Sequence, residues 1–297
     1  MLNSVVTGSS TGIGKTTVKV LARAGHRVFA TMRNVNDGAS LLELAEEEDL
    51  LIELLSLDVA DDHSVDRAFE HIYKQVEFVD ALICNAGIDG FGTVEETPLQ
   101  KFRDCMEVNY FGVIRCVQKT ITSMRDEQQG VIIMVSSTGG RVVVSPGAPY
   151  AGSKFAMEAF SEALAQEAKT FGIRVAIVEP GSTATPIAGK AKRHAQGSDS
   201  PYPQLSRFFD NLEKFSHLAK PPEGVAEQIR DIIEGDSWQL RYLVGGDAQP
   251  LLDMRNSLSD EQWVHLQSLS GEAYDSSMEK LMASLSRTHS LTGLEPS

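Results

Sequence analysis

Short, β-branched apolar runs alternate with longer segments of helical periodicity along most of the chain. The runs predict strands at Asn3–Thr7, Arg27–Met32, Leu51–Leu57, Val79–Cys84, Val131–Val135, Ile173–Glu179 and Arg241–Val244. Most are apolar at successive positions rather than at every second one, the pattern of strands covered on both faces of a parallel sheet. Between the runs, apolar residues return every three or four positions, as at Val65, Ala68, Phe69 and Ile72. This alternation predicts an α/β fold: one doubly wound domain, a seven-stranded parallel sheet flanked by helices and joined by right-handed crossovers. No Gly-, Pro- or Ser-rich linker divides the chain before Val244, and there is no internal repeat.

Two stretches break the rhythm. Between the sixth strand and the next helix lies a segment of about 182–222, in which Leu205, Phe208, Phe209, Leu212 and Phe215 share one helical face. It reads as a helical lid. After the last strand comes a C-terminal extension, 247–297, with a helix start near Ser259-Asp260-Glu261 and a polar, frayed end over Ser286–Ser297. Residues 1–246 form the main domain in this reading.

Charge and cysteine usage narrow the function classes. The net charge of -14 disfavours binding to a phosphate backbone, so no nucleic-acid partner is expected. The basic cluster Lys190, Lys192, Arg193 and His194 fits a solvated loop or a contact with an anionic substrate tail. Cys84, Cys105 and Cys116 lack CxxC spacing, which points to a reducing compartment. The histidines show no metal-ligand spacing. No signal-peptide pattern and no membrane-length apolar run occur, so a cytoplasmic protein is expected.

The first candidate for chemistry is Thr7-Gly8-Ser9-Ser10-Thr11-Gly12-Ile13-Gly14, between the first strand and first helix. Glycines let a turn adopt positive φ and let its backbone approach a pyrophosphate, which the N-terminus of the following helix then attracts. The spacing is neither GxxxxGK[ST] nor GxGxxG, and glycines in such turns also serve purely steric ends. A carboxylate that would bind a ribose 2′-hydroxyl is missing at the end of the second strand. Met32 and Arg33 stand there instead. A guanidinium at that point suits a 2′-phosphate, favouring NADP(H) over NAD(H), the alternative being that Arg33 is an ordinary surface charge.

The second candidate is the pair Tyr150 and Lys154, four apart and therefore on one helical face. A free phenol titrates near 10, and an adjacent ammonium would lower that value. Tyr150 could then act as general acid in reduction and general base in oxidation. Spacing alone does not separate this from a surface pair. Position does. The TGxxxGxG turn, Asn85-Ala86-Gly87, Asn109, Ser137, YxxxK and Pro180-Gly181 follow in order at the expected elements. In this the chain resembles the short-chain dehydrogenase/reductase family, over roughly Asn3 to Gly246, and the resemblance implies a Rossmann fold.

The resemblance also implies roles. Ser137 would stabilise charge developing on the substrate oxygen, with Ser136 as the neighbouring alternative. Lys154 would bind the nicotinamide ribose as well as assist Tyr150, and Asn109 would hold a water that relays protons to Lys154. Gly8, Ser10, Thr11, Gly12, Ile13 and Gly14 would cradle the phosphates, and Arg33 would meet the 2′-phosphate. Asp58 and Val59 would contact adenine, while Asn85, Ala86 and Gly87 would line the adenosine side. Pro180, Gly181, Thr183 and Thr185 would touch the nicotinamide end. Taken singly, Asp58 could be a helix N-cap, Asn109 a helix kink and Pro180-Gly181 a plain turn.

Ser153-Lys154-Phe155-Ala156-Met157-Glu158, the Ala30-Thr31-Met32-Arg33 strand end and the long C-terminus are similar to the hydroxysteroid and retinol dehydrogenase branch. That branch implies a bulky apolar ketone, aldehyde or alcohol as substrate. Tyr202, Phe208, Phe209 and Phe215 could close an apolar pocket, or simply pack the lid onto the core. Two other readings stand beside it: a 3-oxoacyl thioester reductase, and a non-enzymatic cofactor-sensing regulator. The resemblance further implies a homodimer or homotetramer through two long helices, about Leu99–Met124 and Tyr150–Phe171, where Ala156, Ala159, Ala163 and Ala165 would allow close packing.

Overall fold

The computed structural model describes residues 1–186, 200–214 and 216–291, with backbone alone at Leu218 and over 282–291. Phe215, the basic cluster at 190–194 and the last six residues lie outside the described residues. Seven strands form one parallel sheet: β1 (Asn3–Thr7), β2 (Arg27–Met32), β3 (Ile52–Ser56), β4 (Ala81–Cys84), β5 (Gly130–Val135), β6 (Ile173–Pro180) and β7 (Arg241–Val244). Their order is β3-β2-β1-β4-β5-β6-β7, so the chain reverses its direction of travel across the sheet between β1 and β4. Such a switch point opens a crevice at the carboxyl ends of the strands.

The unbroken apolar runs are explained by two-sided burial. Val5, Phe29, Leu82, Ile132 and Met134 point into one layer. Their neighbours Val6, Val28, Ala30, Ile83 and Ile133 point into the other. The first layer is filled by α3 (Asp62–Tyr73), α5 (Gly112–Asp126) and α6 (Ala148–Ala168), through Val65, Phe69, Val117, Met157 and Leu164. The second is filled by α1 (Gly12–Arg23), α2 (Ala39–Glu48) and a helix over Glu223–Glu234, through Val18, Leu21, Leu41, Ile229 and Ile232. Phe29 and Phe69 are fully or almost fully buried, and cutting either to alanine costs about 3–5 kcal/mol.

The helix expected over Leu99–Met124 is interrupted. α4 (Leu99–Met106) passes through a wider π-helical turn, Glu107–Phe111, before α5 begins. Asn109 sits in that turn, fully buried, with its side chain bonded to a neighbouring loop rather than following the helix surface.

The lid carries α7 (Pro203–Lys214), and the Glu223–Glu234 helix is α8. The extension forms α9 (Ala248–Asn256), α10 (Asp260–Ser268) and α11 (Gly271–Leu291). α10 starts where expected, because Ser259 and Gln262 make a reciprocal capping box. The polar end reads as frayed in sequence, yet its backbone stays helical to Leu291. Trp263, Leu252, Met254 and Leu266 gather with Val142 into a third, smaller core.

Candidate active site

The carboxyl ends of β1, β4, β5 and β6 surround a cleft of about 990 Å³. The glycine turn contributes Ile13 to its lining, and the end of β4 contributes Asn85 and Gly87. Ser137 follows β5, and Tyr150 and Lys154 face in from α6. β6 ends in Pro180, and the loop after it supplies Gly181, Thr183 and Thr185. Thus half of the expected site meets in one space. Gly8, Ser10, Thr11, Gly12, Gly14, Arg33, Asp58, Val59, Ala86 and Asn109 do not line that cleft.

Those outside it mostly build its rim. Gly8 has φ +69, and a Cβ there would lie 2.7 Å from Ala86 Cα. A Cβ on Gly14 would lie 2.4 Å from Asn85 Nδ2. Asn85 explains the closeness: Nδ2 donates to the Thr7 carbonyl (2.9 Å) and the Gly8 carbonyl (3.0 Å). The Thr7 hydroxyl oxygen accepts from the N–H groups of Asn85 and Ala86, both at 3.0 Å. Asn85 and Ala86 therefore fasten the turn to β4. The first helical N–H groups of α1 have no side-chain cap, and its first turn carries no acid. Bare glycine backbone, uncapped donors and the positive end of a helix dipole fit a pyrophosphate.

At the end of β2, Met32 is 2% exposed and packs against Gly38. Arg33 is the exposed residue there, so it alone of the two can meet a ligand. Asp58 Oδ1 accepts from the Ala60 N–H at 3.0 Å, while Asp61 caps α3 by accepting from the Ser64 N–H. Val59 is buried against Gly112, leaving its side chain little surface to offer a base.

The reacting groups are tightly set. Ser137 Oγ accepts from the Gly139 N–H at 3.0 Å and hydrogen-bonds the Tyr150 phenol. Lys154 Nζ donates to the Val135 carbonyl at 2.8 Å and lies 5.8 Å from the centre of the Tyr150 ring. Burial pushes the lysine down to about 8, with Glu158 and Cys84 opposing that fall. Tyr150 departs from expectation. Burial raises its pKa, outweighing the Ser137 hydrogen bond that lowers it. The phenol is thus held protonated because its hydroxyl is desolvated and the ammonium points to a carbonyl.

Asn109 is similarly occupied. Its Oδ1 accepts from the Ile88 N–H (2.8 Å), and its Nδ2 donates to the Ile88 carbonyl (3.0 Å) and to Ser153 Oγ (2.9 Å). These bonds tie the loop after β4 to α6. Its amide hydrogens and oxygen already have protein partners, so its side chain fixes the floor beneath Lys154.

Phe208 lines the cleft, as one of the expected aromatics, and it is joined there by Phe91, which no sequence pattern marked. Phe91 stacks on Tyr150, with ring centres 5.8 Å apart, and meets Phe208 at 4.9 Å. Leu212 joins them in the lining. Phe91 stands in an irregular loop, with no periodicity to mark it. Tyr202 does not line the cleft: its hydroxyl turns to Glu95. Phe209 packs edge-on against Phe208, 5.2 Å away. The lid is held from outside by Arg207, whose Nη2 donates to the Gln267 carbonyl at 3.0 Å and whose Nη1 bonds the Leu269 carbonyl. Its guanidinium lies 4.1 Å from the Tyr274 ring centre. Among the described residues no cluster could hold a metal ion, and no helix is long and apolar enough to cross a membrane.

Comparison with known proteins agrees with this geometry. A family model described as short chain dehydrogenase matches residues 3–196. An NADPH-dependent 3-dehydrocapnine reductase of Ornithobacterium rhinotracheale is 33% identical over 255 residues, 82% of this chain and 88% of that protein. Retinol dehydrogenase 8 of Bos taurus is 33% identical over 264 residues, 84% of each chain. An actinorhodin polyketide ketoreductase solved with NADPH superposes with a TM-score of 0.74 at 26% identity, covering 83% of this chain and 97% of that one.

Proposed function

The chain belongs to the short-chain dehydrogenase/reductase family, and on that premise we propose that it transfers hydride between NADP(H) and a bulky, apolar carbonyl or secondary alcohol. The observation that carries the proposal is the meeting of Ser137, Tyr150 and Lys154 in one cleft walled by Phe91 and Phe208. When bound, the dinucleotide supplies the hydride. Gly8 to Gly14 hold its phosphates, Arg33 pairs with its 2′-phosphate, and Lys154 holds its ribose. Asp58, Gly87, Pro180, Gly181, Thr183 and Thr185 complete the cofactor side.

Ser137 donates to the substrate oxygen and stabilises charge as it develops there. Tyr150 gives that oxygen a proton. Burial pushes its pKa up, so the phenol carries the proton that a general acid in reduction must give. Lys154, as an ammonium, stabilises the phenolate that results. Preference for NADP(H) is supported by an exposed Arg33 where no carboxylate stands, and by the NADPH named for the reductase relative and found with the ketoreductase. An apolar substrate is supported by the aromatic wall and by the retinol named for the bovine relative.

The test is a panel of retinal, a steroid ketone, a long-chain ketone and a 3-oxoacyl thioester, each with NADPH and NADH, followed by loss of reduced-cofactor absorbance. The reading expects NADPH and the apolar ketones or aldehydes to win. Preference for NADH overturns the cofactor, and preference for the thioester moves the protein to the acyl-thioester reductases. Phe111 and Phe155, 45% and 41% exposed on α5's approach and on α6, support association of copies along those helices. Sedimentation should then show a dimer or tetramer.

A further inference from the structure

Behind the reacting centre lies a buried charge cluster that the mechanism above does not use. Glu158 follows Lys154 by one turn of α6 and is 5% exposed, while Glu179 on β6 is fully buried. Arg241 of β7 reaches both: its Nε is 3.1 Å from Glu158 Oε2 and 3.1 Å from Glu179 Oε1. Its Nη2 also pairs with Glu162, one turn further along α6. Arg141, after β5, donates to Glu179 Oε1 at 3.1 Å. Buried carboxylates are costly unless each oxygen is satisfied. Here two are not: Glu158 Oε1 and Glu179 Oε2 have no hydrogen-bond partner in the described structure.

The placement of Glu158 ties it to Lys154. Two successive residues at the end of β5 face two successive turns of α6. Val135 takes the Lys154 ammonium on its carbonyl, and Ser136 turns its hydroxyl toward Glu158. Gly140 keeps this corner narrow, since a Cβ there would lie 2.7 Å from Ser136 Oγ and 3.1 Å from Glu158 Oε1. The charges facing the corner are Glu158 and Glu162 on α6, Glu179 on β6, Arg241 on β7 and Arg141, with the Cys84 thiol of β4 beside Lys154. Lys154 supplies the third cation against three carboxylates. Among the described residues its hydrogen-bonded partner is the neutral Val135 carbonyl, and the carboxylate one turn along the same helix is Glu158.

We propose that Glu158 is a positioning residue: its buried carboxylate, held in place by Arg241, keeps Lys154 in the ammonium form that the reacting centre requires. The inference rests on the role given to Lys154 above. Glu158 opposes the burial that lowers Lys154, and that opposition is lost when its charge is lost. Removing the carboxylate must therefore move the Lys154 titration down from about 8. Arg241 keeps Glu158 ionised against the burial that raises its pKa.

The experiment uses the full chain labelled with 13C at lysine Cε, with the Lys154 resonance assigned from Lys154→Arg. The titration is read without cofactor, so it stands whether or not the chain reduces a ketone. Glu158→Gln should lower the midpoint by roughly one pH unit. Glu158→Asp should lower it by less, since a carboxylate is retained. Circular dichroism checks that each variant is folded; if Glu158→Gln is not, Glu158→Asp decides, an unchanged midpoint there counting against the proposal. The alkaline limb of kcat/KM for reduction should move with the NMR midpoint. An unchanged Lys154 midpoint in Glu158→Gln, or a larger fall in Glu158→Asp than in Glu158→Gln, overturns the proposal. Normal coupling with no ketone turnover defeats the functional reading instead.

Discussion

On the cofactor side of the cleft, the glycine turn is fastened to the neighbouring strand of the sheet through the Asn85 and Thr7 side chains. Asn85 bonds two carbonyls of the turn, Thr7 bonds two amides of β4's end, and both strands lie in the sheet. On the substrate side, α7 is fastened to a helix of the C-terminal extension instead. Arg207 and Gln204 reach the last carbonyls of α10 and the residue beyond, some sixty positions away. The first arrangement joins the ends of two strands that pair directly in the sheet. The second depends on which helices the C-terminal extension happens to form. This contrast teaches why chemistry and specificity are separable in the molecule: the cofactor side is set by the sheet, and the substrate side by what leans on the lid.

The largest effect should come from breaking the cofactor side. Gly8→Val puts a branched side chain at φ +69 and against Ala86 Cα, with no flexible neighbour to yield. The left-handed region alone costs about 1–2 kcal/mol and the clash adds to it. Thermal unfolding should shift down and NADPH binding should be lost, while a lid variant keeps both. Next is Arg33→Ala. A hydrogen bond to a charged group is worth about 1.5–3 kcal/mol, so kcat/KM with NADPH should fall roughly 10- to 100-fold while that with NADH stays nearly constant. Equal losses with both cofactors would remove Arg33 from the 2′-phosphate.

Smaller still is the substrate side. Arg207→Ala frees α7 from Gln267 and Leu269, and KM for a bulky ketone should rise about fivefold, or ~1 kcal/mol. A small ketone that never touches Phe208 should be turned over as before. If both substrates suffer alike, the lid is not separable from the chemistry. The mildest change is with pH. Reduction should weaken as pH rises through about 8, where Lys154 loses its charge. The contribution of Lys154 to stability runs the other way. Between about 8 and the ordinary lysine range the unfolded chain binds more protons than the folded one, so that contribution rises with pH. Activity falling while the fold holds separates deprotonation from unfolding.

The same contrast governs what could be read from residues alone. All seven strands, Ser137, Tyr150, Lys154 and the glycine turn follow local rules, and the sheet brings them together. Phe91 became part of the wall only through a loop that folds back over Tyr150, and Tyr202 left it because Glu95 lies within reach. Neither contact has a local signature. The π-helical turn at Asn109 was hidden because its helix keeps a normal apolar period on both sides of it. The upward push on Tyr150 was hidden for another reason. Spacing shows that an ammonium is near, but only the structure shows that it donates to Val135 and that the phenol is desolvated.

The central claim is that Tyr150 delivers the proton in an NADPH-dependent carbonyl reduction. Single-turnover reduction of a bulky ketone by the wild-type chain and by Tyr150→Phe, with NADPH affinity measured on both, tests it most directly. The account predicts unchanged NADPH binding and a rate lower by about 10²- to 10⁴-fold in the variant. A variant that binds NADPH and reduces the ketone at the wild-type rate would contradict it.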